Sequence, residues 1–162
     1  MSDRHIYILR KAQIEYRMVR AAITYTTHYW HYQESSPASD EEGLLSQLRA
    51  MSRAQFEASV PEKTIEQIFL IRLFALFEGI VTEYHSLRHA NDMVPFYASV
   101  NWYLDRAAYF NRRLISEKTV ANVHAVRKYR NALVHSLPNA SRIPFSDALA
   151  DLSKFAVKLP NV

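Results

Sequence analysis

Long stretches without glycine or proline constrain the fold of this chain more than any other feature of its sequence. The chain has 162 residues, of which 2 are glycine and 6 are proline. The first uninterrupted stretch runs from about Asp3 to Tyr32, and its apolar residues recur every three or four positions. That spacing places them on one face of an α-helix, which glycine or proline would interrupt. The alternating pattern that a β-strand needs is not sustained over a useful length.

The same spacing recurs in the blocks that the prolines separate. Longer helices are predicted over residues 41–58, 61–89, 96–111 and 116–135, and a short final helix over residues 146–155. Ser39 and Glu42 form a capping box for the helix at 41–58, and Ser116 is the cap of the helix at 116–135. The sequence therefore predicts an all-α fold, a bundle of about five helices in a single domain that spans residues 1–162.

The helix at 61–89 is the most apolar and is predicted to be the central helix of the bundle. Its broad apolar arc consists of Phe69, Leu70, Leu73, Phe77, Ile80, Val81, Tyr84 and Leu87. Of these, we expect burial above all of Phe69, Leu73, Phe77 and Ile80. A polar stripe on the other side, expected to face solvent or a partner, consists of Glu78, Thr82, His85 and His89.

Composition excludes several classes of site. The chain has no cysteine, so it has no disulfide, thiolate metal site or cysteine nucleophile. Two glycines are too few for a dinucleotide fingerprint or a P-loop, and no cofactor is expected. His85 and His89 have metal-ligand spacing without a matching second pair, so no metal is expected. The apolar run at 68–77 is too short to span a membrane, and the start of the chain is no signal peptide, which favours a cytoplasmic location.

The most informative motif lies at the end of the helix at 116–135. Arg130, Asn131 and His135 follow one another within one and a half turns, and Asn131 and His135 share a face because they are four residues apart. On the same side lie His124, Arg127 and Lys128. A guanidinium binds phosphate as a fork, and an imidazole can carry a proton near neutral pH. This combination is typical of a phosphodiester site, although an ordinary basic face with a histidine at a helix end would share it.

This motif resembles the signature of the HEPN superfamily of helical domains. In that signature an Asn often follows the Arg directly, and a His near the end of the helix is separated from the Arg by four to six residues, here four. Here the matching residues are Arg130, Asn131 and His135. Many families with this signature are metal-independent ribonucleases of toxin and antiviral-defence systems, whereas others bind nucleotides without cutting RNA. The resemblance implies a HEPN-like bundle, a metal-independent endoribonuclease activity and an RNA substrate.

The chemistry of RNA cleavage gives these residues their expected roles. His135 is the expected proton-transfer group, and Arg130 is the expected clamp on the phosphoryl oxygens. Asn131, Arg127 and Lys128 are expected to bind substrate phosphates or to orient the histidine. Supporting roles are expected for His124 and for Glu78, since some HEPN families have an acid on an earlier helix.

Partners follow from the same argument. One signature histidine cannot easily act as acid and base at once, so we expect a homodimer whose two-fold axis brings two of them together, as in the dimer cleft of HEPN nucleases. The resemblance also implies an antitoxin that restrains the enzyme, or a nucleotidyltransferase-type partner if the chain is a non-catalytic module. Two alternatives stay open, namely a non-catalytic HEPN-like nucleotide-binding module and a helical protein-interaction module.

Overall fold

A computed structural model describes residues 2–33, 62–96, 98–135, 137 and 141–160. The five helices of these residues are α1 Ser2–Gln33, α2 Glu62–Arg88, α3 Val100–Phe110, α4 Glu117–Val134 and α5 Phe145–Ala156. The described residues contain no β-strand, so the predicted all-α fold is confirmed. The helix predicted at 41–58 and its capping box at Ser39 and Glu42 lie outside the described residues.

The helices α1 and α2 pack side by side in opposite directions. Near the start of α1, Nη1 of Arg4 donates a hydrogen bond to Oε1 of Glu83 near the end of α2 at 2.9 Å. Further along α1, the ring of Tyr16 meets the ring of Phe69 with centroids 5.5 Å apart. Because residue numbers rise along one helix and fall along the other at these contacts, the two helices are antiparallel.

The helix α2 is the centre of the described bundle, since it contacts each of the other four helices. Leu73, Phe77 and Ile80 are at most 1% exposed, which confirms their predicted burial. Phe77 also meets Phe155 of α5 edge to face, with ring centroids 5.6 Å apart. Phe69 is only partly buried, because its ring lies at the edge of the core beside Tyr16.

The last turns of α2 differ from the predicted pattern. Leu87, which was assigned to the apolar arc, is 51% exposed, whereas His85, which was assigned to the exposed polar stripe, is 2% exposed. His85 follows buried Val81 by four residues and so continues the row of side chains that faces the core. Its ring packs against Trp102 and Tyr103 of α3, with centroid distances of 4.9 and 5.2 Å. The prediction for His85 is wrong because aromatic side chains from another helix cover that side of α2.

The helix α3 begins four residues later than predicted. A turn precedes it, in which the backbone N–H of Ala98 donates to the carbonyl oxygen of Pro95 at 2.8 Å. The C-cap residue of the helix is Asn111. It is buried and donates from Nδ2 to the hydroxyl of Tyr84 at 2.9 Å and to the carbonyl oxygen of Ala107 at 2.8 Å. These two bonds satisfy the buried amide and hold the end of α3 against α2.

The helix α5 is capped by a side chain of α2. Pro144, the residue before the helix, makes no side-chain cap, and Oε1 of Glu66 accepts the N–H of Phe145 at 3.0 Å instead. The same carboxylate pairs with Arg142. Burial acts to raise the pKa of Glu66, but the bonds from Phe145 and Arg142 outweigh it and leave the pKa below its ordinary value. The start of α5 is thereby fixed to α2.

Gly79 offers a direct test of the exposed face of α2. It lies within the helix, and a methyl group on its Cα would meet no atom within 4 Å apart from its chain neighbours and the nearby backbone of its own helix. Glycine within a helix costs about 0.5–1 kcal/mol relative to alanine, so Gly79→Ala should raise the free energy of unfolding by about that amount. Ala75→Gly, four residues earlier and also exposed, should lower it by a similar amount. Chemical denaturation of both variants would measure these changes, and a less stable Gly79→Ala variant would contradict the open environment of Gly79.

The burial of His85 predicts a dependence of stability on pH. Burial and the charge of His89 lower the pKa of His85 from its ordinary value of 6.5, against the opposing effect of Asp92. Below about pH 6.5 the unfolded chain therefore binds a proton that the folded chain does not, and stability falls as the pH falls. His85→Phe, which suits the aromatic surroundings, should lose less stability than the wild type between about pH 7.5 and pH 5.5 in denaturation experiments. Equal losses in the two proteins would contradict this.

Candidate functional site

The two ends of α4 are set by residues that the sequence had indicated. At its start, Oγ of Ser116 accepts the backbone N–H of Thr119 at 3.3 Å, which confirms the predicted cap. At its end, His135 leaves the helical conformation with φ −101° and ψ 9°, and its backbone N–H still donates to the carbonyl oxygen of Asn131 at 3.0 Å. Arg130 and Asn131 thus lie in the last turns of the helix, and His135 closes it.

The guanidinium of Arg130 is turned towards α2. Its Nη2 donates to Oε2 of Glu78 at 3.2 Å, and its Nη1 donates to Oδ1 of Asn131 at 2.9 Å. The side chains of Arg130 and Glu78 are 23% and 25% exposed. The three side chains therefore form a network that is partly sheltered from water and that joins α4 to α2.

Phe74 lies beneath this network and was not among the predicted site residues. Its ring is fully buried, and the Cζ atom of Arg130 lies 5.5 Å from the ring centroid. The face of an aromatic ring attracts a cation, and this attraction holds the guanidinium where Glu78 can reach it. A signal did exist in the sequence, because Phe74 precedes Glu78 by four residues and so shares its side of α2.

The environment of Glu78 differs from that of an exposed glutamate. Burial raises the pKa of Glu78, and the positive charges of Arg130 and Arg127 oppose this effect without cancelling it. The sequence had suggested that Glu78 supports the arginine or the histidine of the signature. The structure brings it to Arg130, across 52 positions of sequence.

The other two predicted phosphate ligands lie on the preceding turn of α4. Arg127 is half-buried, and its Nε is buried without a hydrogen-bond partner. It makes no ion pair with any residue that the structure describes. Lys128 is exposed. Two cations thus lie close to Arg130 in the sequence, and the guanidinium of Arg127 retains donors for an anion.

The structure separates the two histidines of this face. His135 is exposed at the end of α4, and in the described part of the chain its ring makes no hydrogen bond to the Arg130 network. His124 lies roughly 16 Å earlier along the helix axis, and its Nε2 is 2.9 Å from Oδ1 of Asp105 on α3. His124 therefore lies away from the network of Arg130, Asn131 and Glu78 and contacts Asp105 instead. Asp105 was missed because partners on different helices have no fixed spacing in sequence.

The described part of the chain contains neither a metal-binding cluster of side chains nor a membrane-spanning helix. Among those residues, no group of three or more His, Cys, Asp or Glu side chains could hold a metal ion. The helices of the same residues include none that is long and apolar enough to cross a lipid bilayer.

Comparison of the chain with protein-family models, with curated proteins and with solved structures found no match. The HEPN resemblance therefore stays a prediction that rests on Arg130, Asn131 and His135. Function has to be inferred from the residues of the site and their geometry.

A double-mutant cycle would measure how strongly Arg130 and Glu78 interact. Because both side chains are mostly sheltered, we expect Arg130→Ala and Glu78→Ala to be non-additive, with a coupling free energy of about 1 kcal/mol or more. The control is the pair Arg4 and Glu83, whose side chains are 62% and 32% exposed. Exposed pairs contribute less, and a coupling below about 0.5 kcal/mol is expected there. Equal couplings in the two cycles would show that the shelter around Arg130 has no energetic effect.

Proposed function

We propose that this chain is a metal-independent endoribonuclease whose site lies at the end of α4. The observation that carries the proposal is the exposed imidazole of His135, which follows directly after the turn that holds the Arg130–Asn131–Glu78 network. A proton-transfer group, a guanidinium and an amide thus occupy adjacent turns of one helix. These groups can supply one of the two proton transfers and the charge stabilisation that cleavage by the 2′-hydroxyl of RNA requires.

The proposed reaction is a transesterification within the RNA strand. A base removes the proton of the ribose 2′-hydroxyl, whose oxygen then bonds to the neighbouring phosphorus. The bond from phosphorus to the 5′ oxygen breaks, and an acid protonates that leaving oxygen. The products are a 2′,3′-cyclic phosphate and a free 5′-hydroxyl. Arg130 stabilises the charge that develops on the phosphoryl oxygens, because its guanidinium is permanently charged and can form two parallel hydrogen bonds.

The two proton transfers favour a composite site. His135 is the signature histidine of one chain, and a two-fold homodimer supplies a second copy of it. In this arrangement one imidazole is the base and the other is the acid, and RNA lies in the cleft between the protomers. Arg127 and Lys128 hold the flanking phosphates, a contact that positions the strand without reading its sequence.

The resemblance to HEPN toxins and antiviral-defence effectors completes the proposal. A cytoplasmic ribonuclease of this kind would damage the RNA of its own cell, so an antitoxin would restrain it, whereas a non-catalytic module would pair with a nucleotidyltransferase-type partner. The positive charge of the chain, +4 overall, is consistent with an RNA substrate.

One observation favours a second candidate, a non-catalytic nucleotide-binding module. Arg130 and Asn131 are bonded to each other and to Glu78, whereas the ring of His135 makes no hydrogen bond to them in the described chain. A nucleotide phosphate could bind to such a network without any proton transfer. Only the nuclease requires His135 for turnover, so mutation of this residue separates the two candidates.

Substitutions on α4 test the proposed chemistry. His135→Ala should reduce the RNA cleavage rate by on the order of a hundred- to ten-thousand-fold, the usual contribution of a general acid or base. Thermal unfolding should hardly change, because the side chain is exposed. Arg130→Ala should also remove most cleavage, and Arg130→Lys should restore it only in part because the planar fork is lost. Rates would be measured on a labelled RNA in the presence of a chelator.

His124→Ala is the matched control, since it removes another imidazole from the same face of α4. Its ring is bonded to Asp105 rather than to the Arg130 network, so most of the cleavage should remain. Equal cleavage by His135→Ala and wild type would contradict the nuclease. Binding of nucleotides without any cleavage by the wild type would favour the second candidate.

A further inference from the structure

The fork of Arg130 is already occupied by oxygen atoms of the protein itself. Oδ1 of Asn131 lies 2.9 Å from Nη1, and Oε2 of Glu78 lies 3.2 Å from Nη2. A phosphoryl group that binds a guanidinium in the bidentate manner places two of its oxygens against the same kind of N–H donors. The two side chains therefore stand where the oxygens of a bound phosphate would compete for the guanidinium.

The charge around Glu78 does not balance. Both Arg130 and Arg127 act on this carboxylate from α4, and Arg127 makes no ion pair with any residue in the described ranges. One negative charge thus faces two positive charges, and the buried Nε of each arginine has no hydrogen-bond partner. A surplus of positive charge favours the entry of an anion.

The bond between Glu78 and Arg130 has features of an exchangeable contact. It is a single hydrogen bond at 3.2 Å, longer than most charge-assisted bonds, and a quarter of the Glu78 side chain is exposed. Burial also disfavours the charged form of Glu78 and raises its pKa. Desolvation of the two groups offsets much of the attraction between them, so a more highly charged group can displace Glu78 from Arg130.

We propose that Glu78 is a resident competitor for phosphate, which holds the Arg130 fork until a phosphoryl group of the substrate displaces it. The inference rests on the proposed function for the identity of that substrate, which is RNA. Displacement frees the Nη2 donor of Arg130 for the phosphate, while the guanidinium stays above the ring of Phe74. Glu78 thereby weakens the binding of phosphate and keeps the site closed to anions of low affinity.

The opposite role would be that of a positioning residue, which aims Arg130 at the substrate. The two roles predict opposite effects of Glu78→Gln, a change that removes the charge and keeps the shape. A competitor that loses its charge releases the arginine, so binding of phosphate becomes tighter. A positioning residue that loses its charge no longer orients the guanidinium, so the binding of phosphate becomes weaker.

The test measures binding without cleavage. The probes are inorganic phosphate and a short 2′-O-methyl oligonucleotide, which has no free 2′-hydroxyl to react, and fluorescence anisotropy at constant ionic strength gives the Kd of the oligonucleotide. Glu78→Gln should bind roughly threefold to tenfold more tightly than the wild type. Glu83→Gln is the control, because it neutralises another carboxylate of α2 that pairs with Arg4 instead, and its Kd should not change.

Unchanged or weaker binding by Glu78→Gln would overturn the inference, and so would a lack of binding by both proteins. A second measurement uses the wild type, so it does not depend on the folding of a variant. During a phosphate titration followed by NMR, the carboxyl carbon of Glu78 should shift in parallel with the Nε–H of Arg130. Saturation of Arg130 without a change at Glu78 would also overturn the inference.

Neither readout involves turnover, so the two proposals can fail separately. RNA cleavage together with an unchanged Kd for Glu78→Gln would contradict the competitor role of Glu78, whereas the nuclease proposal would stand. If Glu78→Gln binds more tightly but the wild type cuts no RNA, the competitor role of Glu78 would stand and the nuclease proposal would be contradicted.

Discussion

The burial of α2 is the constraint on which the rest of the described structure depends. Leu73, Phe74 and Phe77 are fully buried within little more than one turn, so this face of the helix must be covered by other elements. The other four described helices provide this cover, each in contact with α2. Because α4 packs on α2, Arg130 meets Glu78 and Phe74, and the candidate site arises at the border where the core gives way to solvent.

Polar groups at the border between core and solvent differ in whether they have hydrogen-bond partners. Glu66 and Asn111 have partners that satisfy them and fix the ends of α5 and α3. By contrast, the Nε atoms of Arg127 and Arg130 are buried without partners, and Glu78 bears a desolvation cost that its arginine neighbours do not fully offset. Unsatisfied donors and a carboxyl group with a raised pKa are features that gather at functional sites, although structural ion pairs also produce them.

Local spacing was enough to predict much of this molecule. The three- and four-residue periodicity predicted the long helices, the central position of α2 and the burial of Leu73, Phe77 and Ile80, and Ser116 marked the start of α4. Contacts between helices could not be predicted from local spacing, because they depend on how the helices pack. The sequence thus misplaced His85, whose cover comes from α3, and it missed the bond between His124 and Asp105. It suggested Glu78 as support for the signature but could not show that Arg130 is its partner.

We propose that the end of α4 cleaves RNA by means of the 2′-hydroxyl of the substrate. The most direct measurement compares two oligonucleotides of one sequence, an RNA and its fully 2′-O-methylated counterpart, incubated with the purified wild-type protein and a chelator. If this proposal is right, the RNA alone is cut, and its fragments carry a 2′,3′-cyclic phosphate and a 5′-hydroxyl. Cleavage of the methylated strand, or an RNA that stays intact, would contradict it.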